Sequence, residues 1–489
     1  MINESILQQK MQSLLQYPIL NKQSVKTVAD ILKTQDDWSL FRINPLHFAK
    51  QHGLNEHDCL DIFVHGAKIG LFDLSYEMVC PACYGIVHNY HALGELENDS
   101  FYCALCHINV PTSLDEQVEV SFTIHPSVQE LDINPLSDLK HFNRYYFSGN
   151  TQKSEAVLAF CSKKVIKDWL ILAPDKRHTI SLEISSNQTY QVVSVENNAS
   201  VVFYFNQSNE GQANIIDIDL LPTAFTPKEV QMPLGSCEIH IKNQTKSSLG
   251  CLMMKLDERE QVNDLIKQYP PSVIPVFTPK MLLNNQSFRD LFRVQPLSET
   301  FNVNLKNLTL MFTDLRGSTE MYDKAGDVFA YKLVKTHFQI LTDTVRQFSG
   351  AIVKTMGDAI MATFSRPLDG FLASLEMLRK IEEMNESWKA AGYQIGLKVG
   401  LNDGPALAVV NDERIDYFGQ SVNIAARVQG LAQAGEIWMT QSILDSPGVL
   451  EKLSKSDYQS EQRSATLKGV EQATVVHKVF KSSNGVENP

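Results

Sequence analysis

The spacing of apolar residues predicts a helical segment in the first part of the chain. Helical spacing occurs at residues 24–33, 45–51 and 55–68. The stretch FAKQHGLNEHDCLDIF, followed by an apolar run at 72–79, is typical of a helix-turn-helix with a wing. We therefore predict a helical, winged-helix-like domain over residues 1–79.

The period of the pattern changes to two in the middle of the chain. Val118, Val120, Phe122 and Ile124 alternate with polar residues, as in a strand with one buried face. Further strand-like runs follow at 157–161, 179–184, 190–195, 201–205, 215–220, 237–242 and 251–256. Short strands with Asn, Gly and Ser turns between them predict an all-β sandwich over residues 115–256. Its residues do not decide between a binding surface and an inert spacer.

Strands and helices alternate in the last part of the chain, over residues 304–482. Amphipathic helices are predicted at 328–348 and 368–391. Strands are predicted at 395–401, 406–410, 436–440 and 475–480. The pattern indicates an α/β domain, followed by a disordered tail at 483–489.

A proline-rich segment at 257–303 separates the sandwich from this α/β domain. Four closely spaced prolines in it, at 270, 271, 275 and 279, interrupt regular structure and indicate a linker. Phe288, Leu291 and Phe292 then form one apolar face of a short helix. That face either docks on the C-terminal domain or couples the two halves of the chain.

Composition and charge narrow the class of protein. The chain has 489 residues, 43% of them hydrophobic, which predicts several globular domains. A net charge of −12 argues against binding to nucleic acid or anionic membranes. We see no apolar run long enough for a membrane span and no secretory signal, so we expect a cytoplasmic protein. The candidate recognition helix is also acidic, which favours an interaction or structural role over DNA binding.

Four cysteines are spaced like the ligands of a zinc ribbon. Cys80 and Cys83 form one C-x2-C pair, Cys103 and Cys106 form another, and nineteen residues lie between the pairs. Four protein ligands leave no open coordination position. We therefore predict a structural, non-catalytic Zn²⁺ site in a zinc ribbon over residues 80–114.

Two carboxylates lie at predicted strand ends in the C-terminal domain. Asp314 follows the run LTLMFT and precedes Gly317, Ser318 and Thr319, a small-residue turn before a helix. Such a turn offers free backbone N–H groups to phosphates. Asp358 lies at the tip of a predicted hairpin. Two such carboxylates could hold two hard cations at a phosphoryl-transfer site, although each alone is more simply explained as a turn residue.

A third segment, RIDYFGQSVNIAAR, strengthens that interpretation. Asn423 and Arg427 lie four residues apart, on one face of a predicted helix, so both can reach one ligand. A guanidinium group is well suited to the charge that develops on a phosphoryl group.

With these residues, segment 304–480 resembles the catalytic domain of class III nucleotidyl cyclases. Asp314 and Asp358 match the two aspartates that bind two Mg²⁺ or Mn²⁺ ions in that family. Lys354, four residues before Asp358, and Asp416, seven before Asn423, match the pair that reads adenine N1 and the exocyclic amine. Guanylyl cyclases of the family usually carry glutamate and cysteine there, so the resemblance implies ATP as substrate.

The resemblance also implies roles for the remaining residues. Asn423 matches the residue that orients the ribose, and Arg427 matches the transition-state arginine. Lys468, in LKGV, matches a lysine that contacts the triphosphate. The family fold is a ferredoxin-like α/β domain, and each active site is shared by two catalytic domains. Because one chain contains both halves of a site, a symmetric homodimer is implied. The segment from Gly404 to Asp416 is shorter than in mammalian-type enzymes, which leaves the size of the dimerisation arm open.

The sequence thus predicts a multidomain α+β adenylate cyclase that converts ATP to 3′,5′-cyclic AMP and pyrophosphate. Its N-terminal part resembles an uncharacterised module found ahead of some bacterial cyclases, which implies regulation by an unknown ligand or protein. Two alternatives remain open. One is a catalytically silent regulator that binds nucleotide, and the other is a zinc-containing transcriptional regulator.

Overall fold

The computed structural model describes residues 2–95, 100–111, 116–209, 211–292, 303–316, 327–389, 394–411, 414–470 and 473–482. Over these residues the chain is a multidomain α+β protein. The predicted phosphate turn of Gly317, Ser318 and Thr319 lies outside the described residues, as does the predicted tail at 483–489.

Each of the first four α-helices is preceded by an asparagine that caps its N-terminus. They are α1 (Glu4–Leu14), α2 (Lys22–Thr34), α3 (Pro45–His52) and α4 (Glu56–Lys68). The side chains of Asn3, Asn21, Asn44 and Asn55 accept hydrogen bonds from backbone N–H groups of the first turns. These bonds satisfy donors that a helix start leaves open. All residues of α4 from 59 to 66 are buried, so this part of the predicted recognition helix lies in the core and is not exposed to DNA.

A three-stranded antiparallel sheet packs against these helices. The strands of this region are β1 (Phe72–Val79), β2 (Ile86–Tyr90), β3 (Ser100–Cys103), β4 (Ile108–Pro111) and β5 (Val118–Ile124). The sheet has the order β2-β1-β5, and β3 and β4 form a separate hairpin. The assignment of residues 118–124 to the sandwich is wrong, because β5 pairs with β1 along its whole length. Alternation predicted its buried face correctly but carries no information about the neighbouring strand.

The next segment is helical where the sequence predicted a strand. It contains α5 (Leu139–Tyr146), β6 (Thr151–Gln152) and α6 (Glu155–Phe160). The predicted strand at 157–161 therefore lies mostly in α6. Ser154 is the N-cap residue of this helix, and its side chain accepts a hydrogen bond from the Val157 N–H. A capping serine followed by Glu155 and several good helix formers outweighs the short apolar run.

A β-sandwich occupies the middle of the chain. Its strands are β7 (Ile166–Leu172), β8 (Arg177–Ile184), β9 (Gln188–Ser194), β10 (Ala199–Phe205), β11 (Ile215–Leu220), β12 (Phe225–Thr226), β13 (Glu229–Met232), β14 (Gly235–Asn243) and β15 (Leu249–Lys255). One sheet has the order β13-β10-β9-β15-β7 and the other β12-β11-β14-β8. Both sheets contribute buried side chains, including Val192, Phe203 and Ile239, to one core.

The proline-rich linker contains short elements. These are α7 (Arg259–Gln268), β16 (Ser272–Val273), α8 (Pro279–Leu283) and α9 (Gln286–Leu291). β16 pairs with β6, and α9 packs against α4. The predicted helix with the apolar face is α9, and its Phe288 is buried.

The C-terminal domain is built on one large sheet. Its elements are β17 (Val303–Arg316), α10 (Asp327–Gln347), β18 (Gly350–Met356), β19 (Ala359–Phe364), α11 (Pro367–Trp388), β20 (Gly396–Asn411), β21 (Arg414–Phe418), α12 (Gln420–Gln429), β22 (Glu436–Thr440), α13 (Gln441–Leu444), α14 (Val449–Ser454), β23 (Tyr458–Ala465) and β24 (Thr474–Lys481). The strand order is β18-β19-β17-β20-β22-β24-β23, and β21 pairs with β20. The strands predicted at 395–401 and 406–410 are one continuous strand, β20.

This sheet is covered on both faces. Helices α10 and α11 cover one face, where Met311 of β17 is buried with Leu341 and Phe371. On the other face, Leu310 of β17 belongs to a core that also contains Phe288 of α9 and side chains of the N-terminal helices. The N-terminal part of the chain therefore packs directly on the sheet that carries the candidate site.

Candidate active site

Asp314 lies near the end of β17, on the face of the sheet opposite α10 and α11. Side chains alternate along a strand, so Asp314 shares this face with Leu310 and not with Met311. It lies opposite Lys398 of β20, whose Nζ donates a 2.8 Å hydrogen bond to Asp314 Oδ2. The sequence did not point to Lys398, and only the register of the two strands brings it to this carboxylate.

Asp358 lies in the tight turn between β18 and β19, as predicted from the flanking runs. Gly357 precedes it with φ +64°, a left-handed conformation that favours glycine. The Ile360 N–H donates to Thr313 Oγ1 at 3.2 Å, and this bond ties the start of β19 to the end of β17. The two carboxylates, here called the aspartate pair, therefore lie at neighbouring strand ends.

One oxygen of the aspartate pair is buried without a partner. Asp358 Oδ2 accepts no hydrogen bond from any described residue. A buried carboxylate oxygen without a donor is costly, and a bound cation would satisfy it.

The buried His337 of α10 contacts the backbone of the same turn, where its Nε2–H donates to the backbone oxygen of Asp358 at 3.3 Å. Burial lowers the pKa of His337 to about 4, so this side chain is neutral near pH 7.

Lys354 and Asp416 are in direct contact, and we call them the purine pair after the role that the family resemblance implies. Lys354 Nζ donates to Asp416 Oδ2 at 2.7 Å, although 62 residues separate them in the sequence. Asp416 is buried, and its Oδ1 accepts a 2.8 Å bond from the Tyr417 N–H. Lys354 is half exposed, so a ligand could share this cation and carboxylate. The structure thus joins two residues that the sequence could pair only through the family resemblance.

Asn423 and Arg427 lie on α12, which crosses β20 very closely. A side chain at Gly400 would place its Cβ 2.2 Å from the backbone nitrogen of Gln429, so only glycine permits this approach. Asn423 is exposed, and Arg427 is half-buried. The Arg427 guanidinium lies beside Gly469, where a Cβ would be 3.5 Å from Nη1.

Lys468 precedes that glycine and is exposed. Arg427 and Lys468 therefore come from two different elements but meet at one turn. For the described residues, no hydrogen bond or ion pair links α12 to the aspartate pair or the purine pair.

The cysteine cluster, made of Cys80, Cys83, Cys103 and Cys106, lies far from this site in the sequence. All four Sγ atoms lie within 4.8 Å of one another. The Cys83 and Cys103 Sγ atoms are 3.8 Å apart, which is too long for a disulfide and close to the edge of a tetrahedron with Zn–S bonds of about 2.3 Å. The geometry therefore fits the predicted four-thiolate site.

The two cysteine pairs have the same local backbone. Tyr84 and His107, directly after the second cysteine of each pair, both have positive φ. The N–H of each donates a 2.8 Å bond to the carbonyl of the first cysteine in its pair. Hydrogen bonds from the other thiols, that of Cys103 first, lower the pKa of the Cys80 thiol, whereas the contact with Cys103 is the first cause that raises the pKa of the Cys83 and Cys106 thiols.

Comparison with known proteins matches the two parts of the chain to two different family models. A family model described as "Family of unknown function (DUF5939)" matches residues 7–290, which is more than half of the chain. A second model, "Adenylate and Guanylate cyclase catalytic domain", matches residues 302–478. The chain belongs to the first family and carries a class III nucleotidyl cyclase catalytic domain. The resemblance inferred from the site residues is confirmed at this level.

Individual relatives match only part of the chain. "Adenylate cyclase 2" of Rhizobium meliloti (strain 1021) is 29% identical over 154 residues, which cover 29% of this chain and 41% of that protein. "Serine/threonine-protein kinase pkn2" of Myxococcus xanthus is 26% identical over 138 residues, 28% of this chain and 16% of the kinase. The chain thus spans less than half the length of these curated relatives.

Solved structures also match. The adenylyl cyclase CyaB from P. aeruginosa is 21% identical with a TM-score of 0.33, and the match covers 38% of this chain and 98% of that one. Among the helices in the described part of the chain, none combines the length and hydropathy that a membrane crossing requires.

Proposed function

We propose that the protein is an adenylate cyclase that converts ATP to 3′,5′-cyclic AMP and pyrophosphate. The observation that carries this proposal is the aspartate pair, in which the buried Asp358 Oδ2 lies at a strand end next to Asp314 and has no partner among the described residues. The family match to a cyclase catalytic domain supports the reaction class. The contact within the purine pair supports the choice of nucleotide.

In the proposed reaction the ribose 3′-oxygen bonds to the α-phosphorus while the bond from that phosphorus to the bridging oxygen breaks. Pyrophosphate leaves, and the hydroxyl proton passes to solvent. Two Mg²⁺ or Mn²⁺ ions, when bound, would make the 3′-hydroxyl more acidic and neutralise charge on the triphosphate. The aspartate pair would hold them, and Asp314 would exchange its contact with Lys398 for a cation.

The other residues position the nucleotide and meet its charge. Asn423 would orient the ribose, and Arg427 would stabilise charge on the α-phosphate. Lys468, which directly precedes the Gly469 that lies beside the Arg427 guanidinium, would contact the triphosphate, together with residues 317–319. Positioning and electrostatics supply most of the catalysis in such a reaction, so no covalent nucleophile is required.

The purine pair would select adenine by hydrogen-bond polarity. Adenine presents an acceptor at N1 and a donor at its exocyclic amine. Lys354 would donate to N1, and Asp416 would accept from the amine. Guanine in the same orientation presents a hydrogen at N1 and an acceptor at O6, so both contacts would be mismatched.

We further propose that two copies of the chain share each site. The aspartate pair would come from one copy, and the purine pair with Asn423 and Arg427 from its partner. This proposal is supported by the family resemblance and by the absence, among the described residues, of any hydrogen bond or ion pair between α12 and the aspartate pair. The cysteine cluster would hold one structural Zn²⁺ per chain, which its sulfur geometry supports.

A direct product assay tests the reaction. Purified full-length protein is incubated with ATP or GTP and Mn²⁺, and products are identified by mass spectrometry. We expect cyclic AMP and pyrophosphate in equal amounts, little cyclic GMP, and no product after chelation of the metal. Nucleotide binding without turnover would favour a silent regulator, and cyclic GMP as main product would contradict the role of the purine pair.

A further inference from the structure

Helix α9 joins the N-terminal part of the chain to the catalytic sheet. The match to the family of unknown function ends at residue 290, within α9, so this helix belongs to the N-terminal unit. Yet α9 packs against β18, and its buried Phe288 shares a core with Val353 of β18 and Tyr417 of β21. β18 carries Lys354 and β21 carries Asp416, the two members of the purine pair.

Gln286 of α9 holds the backbone of β18 next to the purine pair. β18 is the edge strand of the sheet, and edge strands leave backbone groups without a strand partner. Its register with β19 shifts between Ile352 and Lys354, which indicates a bulge at this point. The Ile352 N–H donates to Gln286 Oε1 at 2.7 Å. The position of Lys354, two residues further on, therefore depends on a side chain from outside the cyclase domain.

Arg289 of α9 contacts β21 on both sides of Asp416. Its Nη2 donates to the Ile415 carbonyl at 2.5 Å. Its guanidinium carbon also lies 5.9 Å from the centre of the Tyr417 ring, within the range of a cation–π contact. One arginine thus contacts the residue before Asp416 and the residue after it.

The start of α9 is attached to the N-terminal helices by one buried amide. Asn285 Oδ1 accepts from the Phe288 N–H and begins the helix, at 2.8 Å. The same side chain donates through Nδ2 to Asp61 Oδ1 of α4, at 2.9 Å, and both residues are buried. A shift of α4 would therefore move the beginning of α9 unless this buried bond breaks, which is costly.

The space beneath α9 is not filled. A cavity of about 290 Å³ lies between α9, α10, β18 and the ends of β20 and β21. Arg346, Thr342 and Lys354 are among the residues that line it. Close packing alone therefore does not fix the spacing of β18 and β21 here. Hydrogen bonds between Gln286 and β18 and between Arg289 and β21 connect α9 to these two strands beside the cavity.

We propose that α9 is a clamp that sets the geometry of the purine pair, with Gln286 and Arg289 as its positioning residues. The bond between Asp61 and Asn285 connects this clamp to the N-terminal helices. This inference rests on the proposed function, because it assigns the N-terminal unit an effect on purine recognition. A ligand or partner that moves α4 would then change nucleotide affinity and selectivity before it changes metal binding.

The test compares full-length wild type with Arg289→Ala, Gln286→Ala and Arg289→Lys. Hydrogen–deuterium exchange is measured for peptides covering residues 350–356 and 414–418. We expect faster exchange there in both alanine variants and unchanged exchange in β22 and β24. Arg289→Lys keeps a cation and a donor, so it should restore most of the protection. Arg379→Ala is the matched control, because Arg379 is an ion-paired arginine on α11, on the opposite face.

Steady-state kinetics form the second readout. In the alanine variants we expect the KM for ATP to rise by about 2- to 30-fold, the range of couplings of this kind. The preference for ATP over GTP should fall, and kcat at saturating ATP should change less. Arg379→Ala should leave all three unchanged.

Two outcomes would overturn the clamp. One is unchanged exchange in both peptides of the alanine variants. The other is a uniform rise in exchange across the whole catalytic sheet, which would indicate general destabilisation. A wild-type protein without turnover would instead refute the proposed function, and the exchange readout, together with binding of a fluorescent ATP analogue, would still decide whether the clamp exists.

Discussion

The cysteine cluster and the aspartate pair are both candidate metal centres, but they are built in opposite ways. The cluster is assembled from two copies of one local turn, and its four sulfur atoms already lie within 4.8 Å of one another. The aspartate pair comes from a strand end and a hairpin turn. One of its carboxylates contacts Lys398, and the other has a buried oxygen without a described partner.

This difference is the one expected between a structural and a catalytic metal site. Four ligands from one chain close the coordination sphere of zinc and leave no position for a substrate. Two carboxylates leave most positions of a hard cation open for phosphate oxygens and water. In the proposed function the cluster would therefore contribute stability, and the aspartate pair would contribute chemistry only when cations and nucleotide complete it.

We expect the largest effect, a loss of cyclic AMP formation, from a substitution in the aspartate pair. Asp358→Ala should reduce cyclic AMP formation by about 1000-fold or more, because a loss of about 4 kcal/mol of transition-state stabilisation corresponds to such a factor. The melting temperature should change little, since the side chain lies in a turn. Asp343→Ala, at an exposed position of α10, is the control and should retain full activity. Substantial activity in folded Asp358→Ala would refute the metal assignment.

An intermediate effect is expected at the cysteine cluster. Wild type should contain about one zinc per chain, and Cys80→Ser should lose it together with much of the stability of the N-terminal part, because structural zinc contributes folding free energy directly. Metal analysis and thermal unfolding measure the two quantities. Cys161→Ser is the control, because this free cysteine is outside the cluster. Zinc-free wild type, or an unchanged unfolding curve for Cys80→Ser, would contradict a structural zinc site.

The smallest effect is expected at Lys398. Its ammonium group competes with a cation for Asp314, and a half-exposed ion pair is worth at most about 1 kcal/mol. Lys398→Met should therefore lower the half-saturating Mn²⁺ concentration by up to about fivefold, measured by titration of activity. Lys398→Arg keeps the charge and should resemble wild type. A higher Mn²⁺ requirement in Lys398→Met would mean that the lysine organises Asp314 and does not compete for it.

The same two regions illustrate what the sequence could predict. The cysteine cluster was predictable because its geometry is local, with each pair and its turn spanning five residues. The hairpin position of Asp358 was also local, fixed by Gly357 between two strand-like runs. Short-range signals failed where two of them competed, as in α6, where a capping serine and helix formers outweighed an apolar run.

Features that depend on long-range register were not predictable. Residues 118–124 alternate correctly, but nothing in that pattern indicates that β1 is their partner. The contact of Lys398 with Asp314 spans 84 residues, and that of Arg289 with Ile415 spans 126. Such pairs become visible only when the strand order is known. The candidate site was identified from residue types, and its neighbours were identified from the fold.

The proposed shared site requires a second copy of the chain to complete the aspartate pair. The most direct measurement mixes two inactive variants, Asp358→Ala and Arg427→Ala, under conditions of demonstrated subunit exchange. In each heterodimer one site carries both substitutions and the other carries none. Activity should recover toward about one quarter of wild type, since half of the dimers are mixed and each has one intact site. A mixture that stays as inactive as its parents would contradict the shared site.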